Sequence, residues 1–172
     1  MSWNDYYRRQ AALDAVLAHA RHNPEGPLSV ADVPLAAEVF TDTDELLLAL
    51  HHRWMLRLTG RLGVATAEAD RDPSLDRVDA VSAAWRAAAE ESSVLHRLLE
   101  AHDTEALRPV REAEQRLLAL SSGLAADDES PEEVTRAGAA HLALLRSTPA
   151  EASVPPRRPS AVGLLRRLVA SA

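Results

Sequence analysis

The sequence predicts an all-α protein of about seven helices joined by short loops. Apolar residues recur at spacings of three and four along most of the chain, which is the period of a helix with one buried face. No stretch alternates apolar and polar residues as a half-buried strand does. Of the 172 residues, 47% are hydrophobic and 26% are charged, values typical of a globular unit with a packed core.

The first helix is predicted to end at the sequence Asn23-Pro24-Glu25-Gly26-Pro27. Its prolines block continuation of the helix and its glycine permits a turn. We expect the aromatic residues at the start of this helix to dock it on the body of the protein. They are Trp3, Tyr6 and Tyr7.

A long central helix is predicted after a short connecting segment. Ser29 and Asp32 can cap only a single short turn, because a proline follows two residues later. The long helix begins at Thr41 or Thr43 and runs to about Ala69, with leucines and Trp54 along one face.

The second half of the chain has four further helix signals. Asp72-Pro73 predicts a helix start, with Asp as the N-cap and Pro in the first turn. A short helix with apolar residues at 94–99 follows, and the chain restarts near residue 104. Gly123 fits the end of that helix, and Ser130-Pro131-Glu132-Glu133 is a capping box that opens the last one.

These signals divide the chain into residues 1–70, residues 71–146 and a tail of residues 147–172. The start of the tail is rich in proline, which predicts an extended spacer. Residues 161–169 form a miniature amphipathic segment that is too short to be a stable helix alone in water. We expect it to dock on a partner, a membrane or the body of this protein. The residues assigned to this docking are Leu164, Leu165, Arg166, Arg167 and Leu168.

Charge is unevenly distributed along the chain. The net charge is −7, but residues 155–172 hold four Arg and no acid, so the remaining residues carry −11. Such an acidic body is a poor partner for phosphate backbones, whereas the basic tail suits an acidic partner surface or an anionic membrane face. No segment has the length of a membrane span and the N-terminus lacks a signal-peptide pattern, so we expect a cytoplasmic protein.

Composition excludes several kinds of chemistry. Cys is absent and all 19 basic residues are Arg, which removes disulfides, thiolate metal sites, Schiff bases and the phosphate-loop lysine. The six glycines show neither dinucleotide-binding nor phosphate-loop spacing, and no Gly-x-Ser-x-Gly elbow occurs. We therefore expect no enzymatic activity and no cofactor.

The seven histidines do not predict a metal site. His19 and His22 can face one ion from a single helix, but two ligands are not a site. His51 and His52 are adjacent and point about 100° apart on a helix, so they cannot chelate together. No Glu-x-x-His pair is present, which argues against a di-iron carboxylate bundle.

Two tryptophans and one histidine are candidate pocket residues. Trp54 and Trp85 lie on apolar stripes, so each can serve core packing or wall a ligand pocket. His141 also lies in an apolar stripe and can be a half-buried, hydrogen-bonded histidine or a ligand contact. We expect His96 and His102 at the surface.

The order of these segments resembles the tetracycline-repressor (TetR) family of one-component regulators. The sequence RRQAALDAVL at residues 8–17 looks like that family's first helix, and LSVADV at 28–33 like the start of its second. FTDTDELLLAL at 40–50 looks like the segment that opens its fourth helix. Residues 72–111 are similar to its variable domain, and the resemblance spans roughly residues 8–146.

The resemblance implies a homodimer and an internal pocket. The dimer would form through the last two helices, approximately residues 104–122 and 131–146. The pocket would lie between the long central helices and would use Trp54, Trp85 and His141. The residues that would form the dimer interface are Leu117, Leu120, Val134 and Leu145.

The chain departs from the family where DNA would be read. Only residues 34–39 separate Val33 from Phe40, and six residues that begin with Pro cannot complete the second helix, turn and form a recognition helix. Residues 1–62 carry six Arg and eight acids, whereas a DNA-binding head is basic. No DNA-reading residue is carried over from the family.

We therefore favour a non-enzymatic, TetR-like homodimer that has lost its DNA-reading helix and binds a protein partner or a small apolar ligand. One alternative is a DNA-binding TetR-family regulator. Another is an accessory or cargo protein that docks through its tail, whose Gly-Leu-Leu-Arg-Arg resembles the short peptides that load encapsulin shells.

Overall fold

The computed structural model describes residues 3–147, and within them the protein is all-helical with no strand, as predicted. Two 3-10 turns, Val30–Asp32 and Glu105–Leu107, interrupt the α-helices. The predicted tail residues Leu164, Leu165, Arg166, Arg167 and Leu168 lie outside the described residues. The seven helices are α1 (Trp3–Ala20), α2 (Pro34–Ala37), α3 (Thr43–Arg71), α4 (Arg77–Glu91), α5 (Ser93–Ala101), α6 (Arg108–Ser122) and α7 (Pro131–Ser147).

Local capping signals place most of the helix ends where the sequence predicts them. Ser29 and Asp32 form a complete capping box around one 3-10 turn. Ser130 and Glu133 exchange the same pair of hydrogen bonds at the start of α7. Gly123 ends α6 with a φ of 72°, a left-handed conformation that favours glycine. These ends depend on neighbouring residues only, which is why the sequence predicts them.

The predicted helix start at Asp72-Pro73 is wrong. Asp72 instead ends α3, because its backbone N–H donates to the carbonyl of Glu68. Its side chain accepts from the backbone N–H and the hydroxyl of Ser74, which holds the chain in a turn. Helix α4 begins only at Arg77. Its N-cap is Asp76, whose side chain accepts a hydrogen bond from the backbone N–H of Asp79.

One hydrophobic core joins the two helical regions. Helix α3 runs through its centre and buries Leu50, Trp54 and Leu58, among others. The cluster extends in sequence from Ala12 to Leu145, so residues 1–70 and 71–146 share a single core. Helices α6 and α7 pack closely because Gly138 lies against the backbone of α6.

The far end of the α3–α4 pair extends beyond this core. No residue from Gly63 to Ala80 is buried, although the last nine residues of α3 and the first turn of α4 are helical. Val64 and Leu75 are 61% and 46% exposed there. We call residues 63–80 the α3–α4 tip.

The prediction that the N-terminal aromatic residues dock α1 is also wrong. Trp3, Tyr6 and Tyr7 are exposed by 78%, 47% and 63%. Tyr7 packs against Trp3 at 6.1 Å and against Tyr6 at 5.7 Å between ring centroids. The core face of α1 begins only with Ala12 and Leu13, so the first turns of the helix project past the core.

Candidate functional site

A buried carboxylate lies between α6 and α3. Glu114 of α6 is 8% exposed and faces α3. Its Oε1 accepts a hydrogen bond from Trp54 Nε1 at 2.9 Å, and its Oε2 pairs with His51 Nε2 at 3.1 Å. Both oxygens of the carboxylate are therefore occupied by α3. We call Glu114, His51, Trp54, His96 and Trp85 the Glu114 cluster.

His96 of α5 completes the cluster between the two tryptophans. Its ring centroid lies 5.0 Å from that of Trp54 and 5.1 Å from that of Trp85. The tryptophans meet edge to face at 6.5 Å and 86°, a favourable aromatic geometry. The sequence-based assignment of His96 to the surface is wrong, because α5 turns this residue towards α3 and half-buries it.

The surroundings hold Glu114 ionised and His96 neutral at neutral pH. Burial raises the pKa of Glu114, but hydrogen bonds from His51 and Trp54 outweigh it and leave the pKa below its ordinary value. Burial lowers the pKa of His96, and the positive charge of Arg146 adds to this against the opposing effect of Glu100 and Glu114. The cluster thus combines one charged acceptor with the neutral rings of Trp54, Trp85 and His96.

A small cavity adjoins the cluster. Its volume is about 40 Å³, enough for a few water molecules. Pockets for drug-sized ligands are roughly 300–1,000 Å³, so the cavity does not hold an apolar ligand without rearrangement. Its lining consists of His51, Trp54, His96, Leu99, Glu100, Arg111, Glu114, Gln115, Leu142 and Arg146.

The charged residues at this cavity already have partners within the protein. Arg146 pairs with Glu100 at 2.5 Å. Arg111 donates to the carbonyl oxygens of Leu99 and His102 at 2.6 and 3.0 Å, which caps the C-terminal end of α5. The arrangement fastens α5, α6 and α7 together, and its charged groups serve packing contacts.

Of the three predicted pocket residues, only Trp54 lines the cavity. Trp85 is 4% exposed and packs in the core beside Trp54. His141 is also 4% exposed, and its Nε2 lies 3.1 Å from the hydroxyl of Ser82. Burial lowers the pKa of His141, and the charge of Arg86 lowers it further.

The Ser82–His141 pair has the spacing of a nucleophile and its base. Both residues are buried, at 8% and 4% exposure, so a substrate has no direct access to either. His141 Nδ1 has no hydrogen-bond partner among the described residues, so no third group orients the ring as in a catalytic triad. The pair joins α4 to α7 through one buried hydrogen bond.

The four predicted dimer-interface residues do not form one exposed surface in the single chain. Val134 and Leu145 are each 4% exposed, Leu145 in the main core and Val134 in a smaller cluster with Ala119 and Ala125. Leu117 is half-buried against that core. Leu120 is 36% exposed and is the one of the four that is open to a second copy in this arrangement.

The segment between α1 and α3 is as short as the sequence predicts. Helix α2 has four residues, a rise of about 6 Å. Residues 34–39 therefore hold only this single helical turn. The neighbouring arginines of α1 are paired, Arg8 with Glu38 at 3.4 Å and Arg9 with Glu45 at 3.1 Å.

A wide apolar groove runs between α3 and α4 beside the tip. Its volume is about 640 Å³, and most of its lining is apolar. The residues that line it are Gly60, Arg61, Val64, Ala65, Glu68, Leu75, Ala80, Ala83, Ala84 and Ala87. We call it the α3–α4 groove. Sequence reasoning missed this groove, although glycines inside α3 and repeated alanines on α4 were the available signals.

Within residues 3–147, no three His, Asp or Glu side chains are grouped so as to hold a metal ion. None of the helices in that range has both the length and the apolar character needed to cross a bilayer. No protein-family model, no curated protein and no solved structure matches this chain.

Proposed function

We propose that this chain is a non-enzymatic, TetR-like helical protein without a DNA-reading helix, and that it binds another protein through the α3–α4 groove. The observation that carries the proposal is the groove itself, an open apolar concavity of about 640 Å³ beside a tip without buried residues. Extended apolar grooves between helices commonly receive the apolar face of a third helix.

The groove's surroundings define the chemistry of the partner. Residues 63–80 carry five acidic residues and two Arg, a formal net charge of −3. Glu68 lines the groove and makes no ion pair among the described residues. A partner segment with an apolar stripe and flanking basic residues complements the apolar part of the lining and the acidic tip, while Arg61 of the lining is paired with Glu91.

The small apolar ligand of the favoured hypothesis and the DNA-binding alternative have less support than a protein partner. The cavity beside the Glu114 cluster is about 40 Å³, which does not favour a small apolar ligand. The four-residue α2 and the paired arginines of α1 do not favour DNA reading. Homodimer formation through α6 and α7 stays a prediction, with Leu120 as its exposed member.

The groove is tested with a fluorescein-labelled synthetic helix that carries Leu on one face and Arg on the other. Full-length protein with Leu164→Asp and Leu168→Asp is used, so that its own amphipathic tail does not compete. We expect the probe to raise fluorescence anisotropy on binding. A further Ala83→Arg change in the groove should weaken binding at least about tenfold, through bulk and like charge.

The matched control is Ala140→Arg, at another exposed alanine inside a helix, on α7. It should leave the affinity unchanged. Equal loss with both substitutions, or no binding of the probe to the unsubstituted groove, would contradict the proposed function.

A separate measurement addresses DNA. A mobility-shift assay with the DNA upstream of the chain's own operon, at two salt concentrations, should show no sequence-dependent retardation. Tight, salt-sensitive and sequence-dependent binding would instead establish the DNA-binding alternative.

A further inference from the structure

The α3–α4 tip has apolar surface that nothing else within residues 3–147 covers. Val64 and Leu75 line the groove and are 61% and 46% exposed, and no residue from Gly63 to Ala80 is buried. We propose that residues 161–169 of the same chain bind in the α3–α4 groove as a short helix that a partner must displace. This inference rests on the proposed function, because it takes the groove as the site where the partner binds.

Gly60 of α3 is consistent with a helix seated in the groove. A Cβ added at Gly60 would meet nothing within 4 Å, so packing within residues 3–147 does not require glycine at this position. Glycine inside a helix is less favourable than alanine. Close approach of another helix is the physical use that glycine serves at such positions, and Gly60 lines the groove.

The size of the tail segment matches the groove. As a helix, residues 161–169 would be about 14 Å long, and Gly60 to Glu68 spans about 12 Å along α3. Leu164, Leu165 and Leu168 would then share one face, as the sequence predicts. That face meets the apolar lining, while the arginines between the leucines stay at the rim.

The spacer before this segment is long enough to reach the groove. Helix α7 ends at Ser147, near the C-terminal end of α5, where Arg146 pairs with Glu100. Residues 148–160 can span at most about 45 Å when extended. The longest helix in the described part, α3 with 29 residues, is about 43 Å long, so the spacer can cross the molecule.

Charge favours the same placement. The tail carries four Arg and the tip has a formal net charge of −3. Glu68 is exposed at the groove and has no ion pair among the described residues. A tethered segment has a millimolar effective concentration, so binding within one chain outcompetes binding to a second copy at ordinary protein concentrations.

The absence of cysteine from the chain permits a direct test by disulfide trapping in the full-length protein. We compare Val64→Cys with Leu165→Cys against Leu144→Cys with Leu165→Cys. Val64 and Leu144 are similarly exposed, at 61% and 64%. Leu144 is closer to the tail in sequence, so an undocked tail would cross-link to it at least as fast.

We expect the Val64 pair to form an intramolecular disulfide at least about tenfold faster than the Leu144 pair, because docking raises the local concentration of the thiol. Adding Leu164→Asp and Leu168→Asp should remove this advantage. Equal rates for the two pairs would overturn the inference. Disulfide-linked dimers in place of monomers would also overturn it, and would identify a second copy as the source of the segment.

The labelled helical probe separates this inference from the proposed function. Full-length protein with Leu164→Asp and Leu168→Asp should bind the probe at least about tenfold more tightly than the unsubstituted chain, because its groove is open. Equal affinity would overturn docking of the tail and leave the groove as a binding site. No binding to either form would contradict the proposed function, while disulfide trapping still reports on the tail.

Discussion

Two helix pairs in this protein contain glycine, and they use it in opposite ways. In the α6–α7 pair, Gly138 lies against the backbone of Gln115, where a Cβ would overlap the carbonyl group. In the α3–α4 pair, Gly60 and Gly63 face open space. The first pair is complete within the described chain, whereas the second has room for another element. A helix glycine therefore predicts close packing only when the partner that needs it is present.

The largest expected effect on stability is in the Glu114 cluster, where the helices are packed against one another. Glu114→Ala should lower the free energy of unfolding by about 3–4 kcal/mol, because it leaves the N–H groups of His51 and Trp54 buried without their acceptor. Urea denaturation measures the change. Glu90→Ala, at an exposed position without an ion pair among the described residues, is the control and should change stability by less than about 0.5 kcal/mol.

The next effect tests the close contact of α6 and α7. Gly138→Ala should cost about 2–3 kcal/mol of stability, since the added methyl group forces the two backbones apart. Thermal or urea unfolding reports the loss. A neutral result would mean that the helices are farther apart than the structure has them, and the contrast between the two pairs would disappear.

A smaller change in stability is expected when the pH is lowered, and it comes from two histidines. Burial lowers the pKa values of His96 and His141 below their ordinary 6.5. The unfolded chain therefore takes up protons before the folded protein does, and the free energy of unfolding should fall as the pH decreases from 7 to 5. Measured by urea denaturation, this decline should be weaker in a His96→Gln, His141→Gln variant.

A further loss of stability is expected at lower pH, when the Glu114 carboxylate is protonated. The pKa of Glu114 is lowered from its ordinary 4.5, so its contribution is present above that value and disappears as the pH falls through its folded-state pKa. Stability of the Glu114→Gln variant should show a weaker decline between pH 5 and 3. Identical declines in the variant and the unsubstituted protein would show that Glu114 is not preferentially ionised in the folded state.

The smallest expected effect is stabilising and concerns the α3–α4 pair. Gly63→Ala should raise stability by about 0.5–1 kcal/mol, because it improves helix propensity where the added methyl group meets nothing. Urea denaturation measures it beside Gly138→Ala. A destabilising result would indicate that something already packs against this position of α3, as the docked tail would at the neighbouring Gly60.

Local patterns made most of the helices predictable. The capping boxes at Ser29 and Ser130 and the left-handed Gly123 involve residues within a few positions of one another. The prediction failed at Asp72, where a nearby Ser74 competed for the same carboxylate and produced a turn. Two plausible local partners cannot be ranked from the sequence by itself.

The candidate sites were much less predictable. The Glu114 cluster joins residues 60 and 63 positions apart in sequence, and no spacing pattern connects a glutamate to a histidine and a tryptophan at that distance. His96 was assigned to the surface because its contacts come from other helices. The α3–α4 groove was missed because a groove is a property of two helices together.

By itself, the sequence determined the all-α class, most helix ends and the shortness of the segment before Phe40, since each depends on local backbone geometry and chain length. Tertiary structure alone decided that Trp3, Tyr6 and Tyr7 project from the core and that Val134 and Leu145 are covered within the chain. It also decided that α3 and α4 leave a groove between them. These features depend on which helix faces pack together, and one helical apolar stripe carries no information about its partner.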